Sequence, residues 1–131
     1  RLAGCGAGHE YFAITADGEI YPCHQFVGRE QYKLGNLETG VQRQDLVQKF
    51  RHTHVMTKPK CKEWWARVVC SGGCHANADL ISGDIAKPYA YGCKLQQKRL
   101  ENAILIQAIL AAEAQEGEDL RTKFNNFTYE E

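Results

Sequence analysis

Six cysteines at irregular spacing in 131 residues limit the fold of this chain more than any other feature of its sequence. The start lacks the apolar run of a signal peptide, so we expect a reducing compartment, where structural disulfides are disfavoured. Thiolates bind soft metals and iron–sulfur clusters, and a cluster draws about four of them from segments that bend sharply. The sequence therefore predicts metal binding, with candidate ligands Cys5, Cys23, Cys61, Cys70, Cys74 and Cys93.

The charge balance argues against nucleic acid and membranes as partners. Lys plus Arg and Asp plus Glu both number 16, so the net charge is zero with neutral His and no long-range field attracts polyanions. No apolar run approaches the ~20 residues that cross a bilayer. We expect a cytoplasmic protein and, because the sequence begins with Arg1 rather than Met, a piece of a longer chain.

The first residues predict a β-hairpin that presents two of the cysteines. Segment 9–15 is rich in aromatic and β-branched residues, and a turn at 16–18 separates it from a second extended segment, 19–23. Cys5 precedes the first strand and Cys23 ends the second. Both thiols are therefore expected near the same end of the hairpin.

Helical patterns dominate the rest of the chain. They predict an amphipathic helix over 41–52, a helical turn over 63–68, a short helix over 75–82 and a long helix from Cys93 to about Glu116, stopped by Gly117. The predicted fold class is α+β, with the hairpin, cysteine-rich loops and helices around two iron–sulfur sites. Residues 1–99 are predicted to form this domain, and residues 100–131 the rest of the long helix and a polar tail.

The bend between Cys70 and Cys74 suits cluster binding. Ser71-Gly72-Gly73 lets the main chain turn sharply and expose N–H groups, which stabilise negative charge on clustered sulfurs. Six thiols from separated segments fit a pair of clusters better than one zinc site with two unused cysteines.

The cysteine spacing resembles one protein family. The SPASM domain, found at the C-terminus of many radical S-adenosylmethionine (SAM) enzymes, opens with a Cys followed by Gly-x(4)-Cys, which is similar to Cys5 and the run Gly18-Glu19-Ile20-Tyr21-Pro22-Cys23. The second half of its pattern resembles the spacing of Cys61, Cys70, Cys74 and Cys93. Segments 70–77 and 92–96 look most like maturases that form thioether cross-links in six-cysteine peptides.

The resemblance implies two [4Fe–4S] clusters with separate ligands: Cys5, Cys23 and Cys74 for the first, and Cys61, Cys70 and Cys93 for the second. The family pattern has another cysteine three residues after Cys61, whereas this chain has Trp64, which cannot bind iron. Each cluster would then have three protein thiolates. The first could accept a substrate cysteine, and the second would lack its usual fourth ligand.

By resemblance, the chain is an auxiliary region and not a complete enzyme. It would bind a cysteine-rich, ribosomally made precursor peptide and accept or relay an electron as the thioether forms. The SAM-cleaving cluster needs Cys-x(3)-Cys-x(2)-Cys, and the nearest match here, Cys70, Cys74 and Asn77, lacks the third thiol. We therefore expect SAM only in a radical SAM barrel upstream in the same polypeptide, and neither a catalytic residue nor activity in this chain alone.

Two other interpretations of the cysteines stay open. A Cys₄ or Cys₃His zinc site would make the chain an interaction module without a redox role. Disulfides would suit a secreted domain. His24 and His75 each follow a cysteine and could complete a site, although a histidine near a cluster more often packs or hydrogen-bonds beside it.

Overall fold

The computed structural model describes residues 2–116, and within them the predicted α+β class is confirmed. The chain divides into two compact units, Arg1–Cys93 and Lys94–Glu131. All six cysteines lie in the first unit. The predicted domain boundary after residue 99 stays a prediction.

Four short strands pair in sequence order as an antiparallel meander: β1 (Ala13–Ile14), β2 (Glu19–Tyr21), β3 (Gly35–Asn36) and β4 (Gly40–Val41). β1 and β2 form the predicted hairpin, in which Ile14 lies opposite Ile20. The N–H of Gly18 donates to the Thr15 carbonyl at 3.0 Å and closes the turn. The hairpin leads the chain directly to Cys23.

The described residues contain five α-helices: α1 (Gln44–His52), α2 (Pro59–Lys62), α3 (Arg67–Cys70), α4 (His75–Ser82) and α5 (Ala90–Glu116). The helix predicted from Val41 begins three residues later, because Val41 pairs with Gly35 in β4. The next two N–H groups, of Gln42 and Arg43, both donate to the Leu34 carbonyl. These sheet contacts prevent the helix from starting earlier.

The segment between Cys61 and Cys70 differs from the helical turn predicted over 63–68. Single turns connect α2 to α3, with the Trp64 N–H donating to the Cys61 carbonyl and the Arg67 N–H donating to the Trp64 carbonyl. These bonds span three residues, as in 3₁₀ geometry, so regular α-helix resumes only at Arg67. Two short helices therefore replace one.

The two later helices follow the prediction closely. α4 covers 75–82 as predicted, and α5 begins at Ala90, three residues before Cys93. The predicted stop at Gly117 and the polar tail lie outside the described residues. None of the helices within residues 2–116 combines the length and apolar character needed to cross a membrane.

An aromatic core lies beside the hairpin. Its largest members pack ring against ring, with the Phe26 centroid 4.4 Å from that of Tyr32 and 5.4 Å from that of Phe50. Buried Asp79 of α4 accepts hydrogen bonds from the Tyr32 hydroxyl and the Arg29 guanidinium. The core and this carboxylate fix α4 against the segment that follows β2.

A second, smaller cluster joins α1 to the sheet. It consists of Ile20, Leu34, Leu46 and Val47, with Phe12 and Val41 packed at its edge. Leu46 and Val47 come from α1, where with Phe50 they form the buried face. Burial of this face explains why the short helix is stable in this position.

Candidate metal centre

The opening segment folds back onto the end of β2 and carries Cys5 towards Cys23. Residues 6–11 form a tight turn, and the Gly8 N–H donates to the Pro22 carbonyl at 3.0 Å, one residue before Cys23. Gly8 has a φ of 79°, a conformation that favours glycine. The Cys5 thiol, at the start of this turn, is exposed.

Cys23 is held by the core that surrounds it. The residue is 8% exposed and belongs to the aromatic cluster, and its carbonyl accepts the Phe26 N–H at 3.0 Å in a 3₁₀ turn, His24–Phe26. Burial raises the pKa of the Cys23 thiol, two backbone N–H groups oppose that rise, and the nearby Cys74 and Cys5 thiols add to it. Cys5 and Cys74 therefore both contribute to the electrostatic surroundings of Cys23.

Cys74 approaches Cys23 from the start of α4. Its thiol is exposed, and its Sγ lies 3.8 Å from Nε2 of Gln25, two residues after Cys23. The structure thus brings together one group of predicted ligands, which we call the first thiol set: Cys5, Cys23 and Cys74. Their assignment as ligands of one cluster stays a prediction.

The other three cysteines form a second thiol set: Cys61, Cys70 and Cys93. They lie in three different helices. Cys61 is 9% exposed, Cys70 is half-buried and Cys93 is exposed. Burial raises the pKa of Cys61, Lys58 opposes the rise, and Cys93 and Cys70 add to it. The pKa of Cys93 is also raised, by burial and then by Cys70. These three thiols influence one another, and their role as ligands also stays a prediction.

The predicted bend between Cys70 and Cys74 connects the two sets. Its residues Ser71, Gly72 and Gly73 have φ values of 57°, 83° and 72°, so three consecutive residues are left-handed. This conformation is costly for any residue except glycine, which explains the Gly-Gly pair. The bend ends α3 at a cysteine of the second set and begins α4 at a cysteine of the first.

Lys58 is a residue of this region that the sequence analysis did not single out. It is 1% exposed, and its Nζ donates to the Gly72 carbonyl at 2.9 Å. Nothing in the sequence distinguishes it from Lys60 and Lys62, which are exposed on α2. Only the fold shows that one of these three lysines points inwards.

Trp64 occupies the position where the family pattern has a cysteine. It is half-buried in the turn between α2 and α3, and its ring centroid lies 6.1 Å from that of Trp65 in an edge-to-face arrangement. The side chain adds bulk and no metal ligand. The second thiol set therefore contains three thiols.

The two candidate histidines differ in their surroundings. His24 is exposed, whereas His75 is 4% exposed and its Nε2 lies 2.9 Å from the Thr53 carbonyl. Burial lowers the pKa of His75 to about 4. Its Nδ1 is buried without a hydrogen-bond partner among the residues that the structure describes.

Each thiol set draws its cysteines from separate segments of the chain. Within residues 2–116, no three side chains of His, Cys, Asp or Glu converge closely enough to hold one metal ion. A cluster of several irons and sulfides spaces its thiolates farther apart than a single ion does, and it takes thiolates from separate segments. Two sets of three thiols from distant segments fit such a group.

Comparison with known proteins supports the same chemistry. Residues 5–63 match the model of an iron–sulfur cluster-binding family, SPASM. This match supports a SPASM domain. It includes Cys5, Cys23 and Cys61, while the other three cysteines lie beyond the SPASM match.

A longer protein is also similar to this chain. An uncharacterized protein of Archaeoglobus fulgidus is 32% identical over 100 residues, which is 74% of this chain and 24% of that protein. The chain therefore spans about a quarter of the length of the relative that it matches.

Proposed function

We propose that this chain is the auxiliary iron–sulfur region of a radical SAM enzyme that forms thioether cross-links in a ribosomally made, cysteine-rich peptide. The observation that carries the proposal is the SPASM match together with two sets of three free thiols. An iron–sulfur cluster supplies one-electron chemistry when it is bound. The residues of this chain would bind and orient the clusters and admit the peptide.

Each thiol set would hold one cluster, and the two would serve different purposes. Cys5 and Cys74 are exposed while Cys23 is buried, so two thiols of the first set are accessible to a peptide thiol. Three protein thiolates leave room for that thiol as a fourth ligand. The second set, with Trp64 in place of a cysteine, would pass the electron onward.

The SAM-cleaving reaction would take place outside this chain. The chain covers only 24% of the Archaeoglobus fulgidus protein, which leaves room in a longer polypeptide for a radical SAM barrel. We propose that this barrel generates the radical and that the precursor peptide bridges it and the first thiol set. The chain by itself would then bind clusters and peptide without turnover.

Anaerobic reconstitution tests the cluster assignment. Wild-type chain should bind about eight iron and eight sulfide and turn brown, as two [4Fe–4S] clusters require. Cys23→Ala and Cys61→Ala should each lose about half of the iron, whereas His24→Ala, an exposed control beside Cys23, should lose none. A colourless protein that binds zinc instead would support the zinc-stabilised interaction module and overturn this proposal.

The peptide role needs its own measurement. A short peptide with one cysteine should change the visible or electron paramagnetic resonance spectrum of the reconstituted chain, and the same peptide with serine should not. The change should persist in Cys61→Ala and disappear in Cys23→Ala, since the peptide thiol is proposed to bind the first set. Equal responses to the cysteine and serine peptides would contradict this role.

A further inference from the structure

A buried lysine lies beside the bend that connects the two thiol sets. Lys58 is 1% exposed, and its backbone carbonyl accepts the Cys61 N–H at 2.9 Å, so Lys58 and Cys61 share the first turn of α2. Its Nζ reaches the Gly72 carbonyl at 2.9 Å. The side chain of Lys58 thus contacts the bend, and its backbone carbonyl accepts a hydrogen bond from Cys61 of the second set.

Among residues 2–116, Lys58 has no acidic partner. No ion pair joins its Nζ to a carboxylate in the part of the chain that the structure describes, and the Gly72 carbonyl satisfies only one of three donors. A buried ammonium is costly unless anions or hydrogen bonds compensate it. The anion-forming groups that influence it are thiols from both sets: Cys61, Cys70, Cys74 and Cys93.

The direction of its pKa shift is consistent with this environment. Burial lowers the pKa of Lys58, and the four thiols act in the opposite direction. A cluster with its cysteine thiolates carries negative charge, which would favour the ammonium form further. The ammonium form of Lys58 would therefore be favoured by thiolates of both sets.

We propose that Lys58 is a positioning residue for both candidate iron–sulfur sites: it fixes the bend between Cys70 and Cys74 through the Gly72 carbonyl and supplies a positive charge to both thiol sets. The inference rests on the proposed cluster binding and goes beyond it, because the pattern of cysteines and glycine that carries the resemblance includes no lysine. Removal of the charge should make the clusters harder to reduce, since reduction adds an electron to an anionic group.

A redox titration of the reconstituted 131-residue chain tests the charge. Lys58→Met keeps most of the stem and removes the ammonium, and Lys62→Met is the matched exposed control on the same helix. At a fixed potential, Lys58→Met should lower the reduced-to-oxidised ratio of the clusters about tenfold, which is 59 mV for a one-electron couple. Lys62→Met should stay within twofold of wild type. An unchanged ratio in Lys58→Met with full iron content would overturn the charge role.

A second variant covers the case in which Lys58→Met binds less iron. Lys58→Arg keeps the charge and a donor, so it should recover most of the iron content and the wild-type ratio. Iron content no higher in Lys58→Arg than in Lys58→Met would overturn the charge role.

Hydrogen–deuterium exchange tests the positioning role without relying on clusters. Peptides that cover residues 70–78, in which the Ser71 and Ala78 N–H groups donate to the Arg67 and Cys74 carbonyls, should exchange at least tenfold faster in Lys58→Met than in wild type. This difference should appear both with and without iron, while Lys62→Met should match wild type. Equal protection in all three proteins would overturn the positioning role. Wild-type chain that binds no iron would contradict the proposed function, and this exchange comparison would still decide whether Lys58 holds the bend.

Discussion

In the first thiol set, Cys23 is part of the aromatic core, whereas the cysteines of the second set lie on three short or terminal helical segments outside both core clusters. One member of the first set, Cys23, is therefore held by packing that exists without any metal. In the second set, Cys61 and Cys70 lie in helices of four residues each, Cys93 lies in the first turn of α5, and the Lys58 carbonyl accepts the Cys61 N–H. One polypeptide thus orders two similar donor sets to different degrees, and the second set should depend more on its metal for order.

The largest predicted effect comes from disruption of the core behind Cys23. Asp79→Ala removes the acceptor of the Tyr32 hydroxyl and the Arg29 guanidinium, which leaves both groups partly buried and unpaired. The loss should be about 3–5 kcal/mol of unfolding free energy, measured by urea unfolding. Iron bound by the first set should fall more than iron bound by the second.

Asp45→Ala is the matched control for this change. It also removes a carboxylate from an arginine, but the Arg43–Asp45 pair is exposed, and exposed ion pairs contribute little. It should therefore cause a much smaller loss of stability. Similar losses in Asp79→Ala and Asp45→Ala would show that the core does not support the first set in the proposed way.

A buried histidine beside the first thiol set should make the unfolding free energy of the chain depend on pH. His75, next to Cys74, has its pKa lowered by burial from 6.5 to about 4. The contribution of neutral His75 to the unfolding free energy is fully present above about pH 6.5. It is lost as the pH falls towards 4, because the unfolded chain binds the proton more readily than the folded chain does. The whole change amounts to roughly 3 kcal/mol.

Urea unfolding at several pH values between 7.5 and 5 measures this effect. His75→Leu should flatten the fall in stability below pH 6.5, while His24→Leu, an exposed control beside Cys23, should keep the wild-type slope. A wild-type slope in His75→Leu would mean that some other group causes the loss in acid.

A smaller loss of stability is expected from alanine at two glycines, and comparing them separates the cost of backbone strain from the cost of close packing. Gly8 and Gly28 have φ values of 79° and 78°, but a Cβ at Gly8 would lie 2.8 Å from Cγ of Phe50, whereas nothing lies within 4 Å at Gly28. Alanine at either position costs about 1–2 kcal/mol for the left-handed backbone. Gly8→Ala should cost roughly a further 1–3 kcal/mol for overpacking.

The measurement is the difference between the two urea unfolding free energies. Gly8→Ala should also reduce iron bound by the first set, because Gly8 ties the Cys5 turn to the residue before Cys23. Equal costs in Gly8→Ala and Gly28→Ala would show that the Phe50 ring moves aside and that the first set is less rigid than its packing indicates.

Local patterns predicted part of this molecule well. The β1–β2 hairpin and α4 follow from turn chemistry, β propensity and helical spacing, all of which act between residues close in sequence. The later start of α1 did not follow, because β4 pairing and the Leu34 carbonyl determine it. Contacts across the fold override local preference in such places.

The candidate site shows the same limit. The cysteines and the glycine bend were evident from spacing, but the inward direction of Lys58 and the buried Asp79 depend on contacts over 14 and 47–50 residues. Sequence periodicity carries no signal at those distances. The residues that support the ligands are therefore harder to predict than the ligands themselves.

The smallest predicted effect concerns the fourth position of the second set. Trp64→Cys adds a thiol where the family pattern has one, and the second set should then lose iron to a chelator at least about tenfold more slowly, by analogy with changes around other metal ligands. Trp65→Cys is the matched control, since Trp65 is the next residue and is 62% exposed. If both variants slow iron loss equally, any nearby thiol is sufficient and Trp64 does not occupy a ligand position. If only Trp64→Cys slows it, position 64 is a ligand position, and the second set is limited by that one missing ligand more than by its lack of a surrounding core.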